Sequence, residues 1–275
     1  MTLADTSRPA AVAGAVPADA TAAELAPAAR FLPSLAAVYR SQLSRARVAR
    51  MPLMFVAAFQ SIGIMIMMRG VVSAGNSEAS RDVVAGSAVL VLAFVALNLL
   101  AQYFGKLRAG GGLDFYATLP VPPAAVVLGA AGAYASFTVP GTIATAAVGC
   151  GLYGLAWSHL WILLAVIPLA GAALSGLGAI FGLLAPKPEL ATLLGQLGMS
   201  AALLLGVLPA SHFPPVIAWA RDLLPSTYGV EAFARTFTSH PDWPAVLLDL
   251  AVCAAVGAVT LTLSTLAYRR AARER

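Results

Sequence analysis

The sequence predicts an all-α polytopic membrane protein. Of its 275 residues, 60% are hydrophobic and only 11% charged, whereas roughly a quarter of residues are charged in soluble domains. Six apolar runs, at 51–68, 83–104, 124–150, 160–185, 191–209 and 244–268, reach or approach the about 20 residues that a helix needs to cross a bilayer. Runs of that length in lipid satisfy their backbone internally, as helices.

Residues 1–30 are Ala/Pro-rich without apolar periodicity and read as a disordered cytoplasmic tail. Pro17, Asp19, Glu24 and Pro27 interrupt it, so no secretory core forms and the first span is expected to act as its own insertion signal. Residues 31–50 change character. Leu32, Leu35, Ala36, Tyr39, Leu43 and Ala46 recur at helical spacing while Arg40, Ser44 and Arg47 fall on another face. An amphipathic helix lying on the cytoplasmic membrane surface is expected, its arginines meeting anionic headgroups. It is either a simple topology anchor or a surface that also touches a cytoplasmic partner.

Residues 51–275 form the six-span domain. Pro52 suits the first turn of the first helix, and Arg69 closes it. The third span carries Pro140-Gly141, which predicts a kink or partial break. In the fourth, Gly171, Ser175, Gly178 and Gly182 share nearly one face and admit a close neighbour. Tight turns are expected at 151–159 and 186–189. The stretch 210–243 is too long for a turn and too polar for a span. It predicts two short helices dipping into the outer leaflet, one ending at Leu224-Pro225. The other runs from Ser226, a candidate N-cap, to Phe237, with Glu231 and Arg235 placed as an i,i+4 pair.

Charge sets the orientation. With the amino terminus inside, the inner segments hold thirteen Lys/Arg and the outer ones four, namely Arg69, Arg81, Arg221 and Arg235. That bias puts both termini in the cytoplasm of a multi-pass plasma-membrane protein. The net charge of +5 is thereby used for topology, and nucleic-acid binding is not expected.

The search for catalytic chemistry is nearly empty. No phosphate-binding glycine loop is present, and Gly176-Leu-Gly178 lies inside an apolar run rather than after a strand. Ser200 sits among small residues, but His159, His212 and His240 all fall in outer loops, so no base accompanies it. Those histidines lack ligand spacing, and Cys150 and Cys253 lie on different spans, so neither a metal nor a disulfide is expected. Asp249 is the one carboxylate inside a span. Either it pairs near the outer interface with Arg221 or Arg235, or it stands in a transport path. Asn98, Gln102, Gln196 and Ser200 are the polar side chains that mark spans two and five as the expected path lining.

One segment has no place among spacer loops: KLRAGGGLDFYATLPVPP, residues 106–123. Its glycines allow a sharp turn. Residues 113–119 then predict a short helix exposing Asp114, anchored by Phe115 and Tyr116 and stopped by Pro120. Too small to fold alone, that helix rests on the bilayer surface or on a partner.

Four features together resemble the membrane subunit of ABC-2 type transporters. They are the amphipathic helix before span one, the R-x-x-G-x-L-[DE]-like loop from Arg108 to Asp114 that ends in Leu119-Pro120, the six spans, and LLPSTYGVEAFAR before the last span. The resemblance implies an exporter permease without enzymatic activity of its own. A separate cytoplasmic ABC ATPase would bind ATP and Mg, this chain binding no cofactor. A second permease chain, identical or not, and membrane lipids complete the implied partners. It assigns ATPase coupling to Arg40, Arg47, Lys106, Arg108, Leu113, Asp114, Tyr116 and Leu119. Residues 214–235, with Trp219, Pro225, Tyr228, Glu231 and Arg235, correspond to the family's outer re-entrant region. The cargo expected of an apolar, small-residue path is a lipid, drug or other amphipathic natural product moved outward. The alternative is a stand-alone secondary transporter that couples to ions or protons through Asp249, although no internal repeat supports it.

Overall fold

The computed structural model describes residues 30–49, 51–72, 77–207 and 224–273, and all regular structure among them is helical. Five helices are long and apolar enough to cross a membrane: Glu78–Ala109, Pro123–Tyr153, Trp157–Leu184, Pro188–Leu205 and Trp243–Ala272. A shorter apolar helix, Met54–Arg69, precedes them. The chain is thus an all-helical polytopic membrane protein. Its first expected span is the short one, because the apolar stretch is closed at Arg69.

In chain order the elements are α1 (Phe31–Ala49), α2 (Met51–Arg69), α3 (Glu78–Ala109), α4 (Gly112–Ala117), α5 (Pro123–Tyr153), α6 (Leu163–Leu184), α7 (Pro188–Val207), α8 (Pro225–Arg235) and α9 (Trp243–Arg273). Helix α3 starts before its apolar run because the Ser77 hydroxyl accepts a hydrogen bond from Ser80 N, satisfying a free donor of the first turn. Midway it widens into a π-turn, Ala93–Leu99, that nothing in the sequence pattern announces. Helix α5 continues through Pro140 as one helix, so the expected break does not occur. Only a partial loss of bonding is needed there: Pro140 is exposed, and Gly141 lets α5 approach Val91 of α3.

Small residues set the tightest contacts. A Cβ on Gly178 would meet the backbone of Leu97 on α3, and one on Gly182 would meet that of Ala101 and Gly105. Gly176, on another side of α6, faces Thr260 of α9, whose hydroxyl bonds Val256 O at 2.8 Å. Three of the four small residues of the fourth span therefore split between neighbours: Gly171 faces Ala135 of α5, while Gly178 and Gly182 face α3.

Buried apolar side chains form two clusters. One holds Met65, Val84, Leu92, Leu97, Tyr153, Leu174, Phe233 and Cys253, towards the α8 end of the bundle. The other holds Val38, Leu100, Phe104, Leu113, Tyr134, Leu183 and Tyr268, towards the α4 end.

Candidate functional site

At the α4 end, the segment singled out in the sequence folds as a helix–turn–helix corner. Gly111 alone of the three glycines adopts a positive φ, 71°. Helix α4 then runs Gly112–Ala117, shorter than the expected 113–119, because the Thr118 hydroxyl bonds Phe115 O at 2.8 Å and Pro120 follows. Leu113 is 0% exposed and belongs to the same cluster as Phe104, Leu183 and Tyr268. It anchors α4 from beneath and presents no outer surface. Phe115, by contrast, is 61% exposed, and Lys106, Asp114 and Leu119 are exposed beside it. Tyr116 is half-buried against the cluster.

Arg108 has a structural task. Its Nη1 donates to Leu183 O at 2.6 Å and to Ala185 O at 3.3 Å. Leu183 lies in the last turn of α6 and Ala185 is its C-cap, where unpaired acceptors and the negative end of the helix dipole favour a cation. The end of α3 is thereby tied to the end of α6, immediately before α4.

Helix α1 is joined to the same end. Val38 is buried against Gly129 of α5, which has no room for a Cβ. Tyr39 and Ser136 share a hydrogen bond of 3.0 Å, and buried Gln42 donates to the Tyr103 hydroxyl at 2.5 Å. Arg40 is exposed on the opposite side; the side chain of Arg47 lies outside the described residues. Nothing in the sequence pairs Gln42 with Tyr103. The only signal was a polar residue on the apolar face of an amphipathic pattern.

Of the expected path residues, Asn98 is buried in the π-turn and accepts from Gln102 Nε2 at 3.2 Å. Gly195 of α7 closes on it, with the Asn98 side chain 2.8 Å from where a Cβ would be. Gln196 and Ser200 do not join this pair. They lie exposed on the outer face of α7, with Leu193, Leu197 and Leu204.

At the other end α8 departs from its expected setting. Trp219 and the first short helix lie outside the described residues. The second helix starts at Pro225, in the first turn where a missing N–H costs little, with Leu224 as N-cap, and Ser226 is buried inside it. Helix α8 lies inside the bundle and not on its outer side. Ser226, Thr227, Gly229, Ala232 and Phe233 are buried, and the helix is packed among α3, α6 and α9. Small residues let it enter the bundle, with Gly229 against Ala170 of α6. Tyr228 is half-buried at its edge.

Arg235 bonds Glu231 at 2.9 Å, as the spacing predicts, and its Nε lies 3.2 Å from Asp249 Oδ2. Burial opposes its charge, but the hydrogen bond it donates to Glu231 and the fields of Asp249, Glu231 and Asp242 outweigh that and raise its pKa. Asp249, 5% exposed, is therefore the carboxylate that fastens α9 to α8. A cavity of about 320 Å³ opens beside them, lined also by Glu78, Arg81 and Asp82 of α3. Among the described residues no three His, Cys, Asp or Glu side chains are arranged to hold a metal ion.

No curated protein matches the chain. The profile of a transporter family does, over residues 35–238. That range begins in the helix welded to the α4 end, includes the Arg108–Leu113 corner, and ends just beyond α8. Because the match spans well over half of the chain, this protein belongs to the ABC-2 type transporter family.

Proposed function

We propose that this permease is the membrane half of an exporter, driven by a separate ABC ATPase bound at the α4 end. The family makes it a membrane component of ABC-type transport; direction, cargo and partner are our reading. One observation carries it: exposed Phe115, Asp114 and Lys106 ride on a corner that Leu113 and Arg108 fix rigidly to α3 and α6. Such a corner turns a push from a partner into movement of two spans. Nucleotide binding in the ATPase biases the bundle only as far as the ATPase binds one arrangement better than the other.

Charge bias supports a cytoplasmic α4 end and both termini inside, in the plasma membrane. The exposed face of α7 supports a second permease chain. Gln196 and Ser200 are polar groups on an apolar helix, and such groups in spans usually face a protein interface or a cavity. A path between two such faces suits an amphipathic cargo, a lipid, drug or natural product. The ion pair of Asp249 with Arg235 disfavours an ion-coupling role for that carboxylate.

The test is co-purification with an ABC ATPase encoded alongside this chain. Phe115→Ala and Asp114→Arg should abolish the complex while membrane insertion persists. Full complex formation by both variants would sink the assignment.

A further inference from the structure

Three grooves adjoin one another along α5, the first two between α5 and α9 and the third bounded also by α1 and α6. The first, of about 380 Å³, opens at the α4 end beside Leu119, Tyr268 and Arg269. The second, of about 410 Å³, shares Arg269 with the first and passes Leu128, Leu261 and Thr265. The third, of about 480 Å³, shares Leu128 and Leu261 and ends at Val139 and Pro168, well inside the spans. Each alone is in the roughly 300–1,000 Å³ range of ligand pockets. Joined, they have a basic mouth and a long apolar tail.

Two polar groups at the mouth lack partners among the described residues. Tyr268 is 3% exposed, and its hydroxyl is buried without a hydrogen-bond partner. Buried hydroxyls are nearly always paired, so this one points to an acceptor. Arg269 is exposed and makes no ion pair among the described residues. It lies where a long basic side chain reaches the headgroup level.

We infer that this groove holds one resident anionic phospholipid. Its phosphate sits at Arg269, beside the Tyr268 side chain that lines the same mouth, and an acyl chain follows Leu128 and Leu261 towards Pro168. Charge complementarity at one end and a mainly apolar lining at the other, broken only by Thr262, Thr265, Tyr39 and Ser136, select this occupant. The lipid seats on the chain's own α5–α9 face, not on α7, so the inference stands apart from the proposed transport path. Bridging the start of α5 to the last turns of α9, it stiffens the surface behind α4.

The experiment is native mass spectrometry of the full chain in mild detergent, titrated separately with phosphatidylglycerol and phosphatidylcholine. Wild type should retain one phosphatidylglycerol in preference. Arg269→Gln should weaken that binding about fivefold, the effect of one basic residue at an anionic surface. Arg270→Gln, on the neighbouring exposed position outside the grooves, should leave it intact. Leu128→Trp keeps the charge, fills the groove and should also lose the lipid. Equal retention of both lipids by wild type would overturn the inference, as would equal losses in the two arginine variants. Displacement by millimolar inorganic phosphate would reassign the mouth as a simple anion site. A shift in oligomeric state for Leu128→Trp, with lipid binding unchanged, would give the groove to a second copy.

Discussion

Replacing Arg108 with methionine separates two roles that the α4 end combines. The substitution keeps most of the side-chain volume and removes both bonds to α6, one of 2.6 Å and one of 3.3 Å. A hydrogen bond involving a charged group contributes about 1.5–3 kcal/mol. The second bond is long and the site half-exposed, so the whole clamp is worth about 2 kcal/mol, including the helix-terminus effect. For a chain of this size that corresponds to a melting shift of about 4–8 °C. Helix α4 keeps its own anchor in Leu113, so its exposed face should survive. The assay is therefore paired: capture of the ATPase by the purified permease, and ATP-driven transport by the complex in vesicles. Arg108→Met should bind the ATPase near normally yet transport poorly, because the corner no longer moves α6 with α3. Arg108→Lys should recover part of the stability, since one ammonium reaches one carbonyl. The reasoning is refuted if Arg108→Met melts like wild type and loses the ATPase as Phe115→Ala does; Arg108 would then be a contact and no clamp.

Other consequences are open to measurement. Asp249→Asn should lower stability by about 1–2 kcal/mol, since Arg235 keeps Glu231 and is partly exposed, and ATP-driven transport should persist; loss of a proton-driven flux would instead favour secondary transport. Gly178→Leu should prevent accumulation of folded protein, costing about 3 kcal/mol or more from overpacking against the α3 backbone. Gly63→Ala, inside α2 with open space around it, should raise stability by about 0.5–1 kcal/mol. Cys150 and Cys253 are both buried, so neither should react with an impermeant thiol reagent before unfolding. In a cysteine-free background, Thr118→Cys should label only from the cytoplasm and Ser158→Cys only from outside. Labelling of Ser158→Cys from the cytoplasm would invert the topology.

The apolar runs declared themselves because a span needs length and composition more than any particular partner. Their contacts were legible only in part. Gly178 and Gly182 were visible as small residues on one face, yet nothing in their spacing says that the neighbour is α3 rather than α9. The π-turn at Ala93–Leu99 escaped notice because it changes which carbonyl each amide reaches without changing which residues are apolar. Arg108 was recognised as important for a different reason from the one its geometry gives. Its acceptors are backbone carbonyls, and every residue has one. For α8, the string of Ser226, Thr227, Gly229 and Ala232 carried the message of close burial. The segment's length of about ten residues points instead to a helix dipping into the outer leaflet. Asp249–Arg235 was one of two readings that the sequence left open, because a carboxylate near the end of a span has a partner only when the fold brings one.

The two buried clusters meet near the middle of α3, with Leu97 in one and Leu100 in the other. The division coincides with the π-turn, and the buried Asn98 amide lies at that level. The permease is in effect two storeys with a shared floor. One storey can loosen while the other keeps its packing, so the barrier to opening a single end is set by part of the core and not by all of it. A push confined to the storey that holds Leu113 need never unfold the other one.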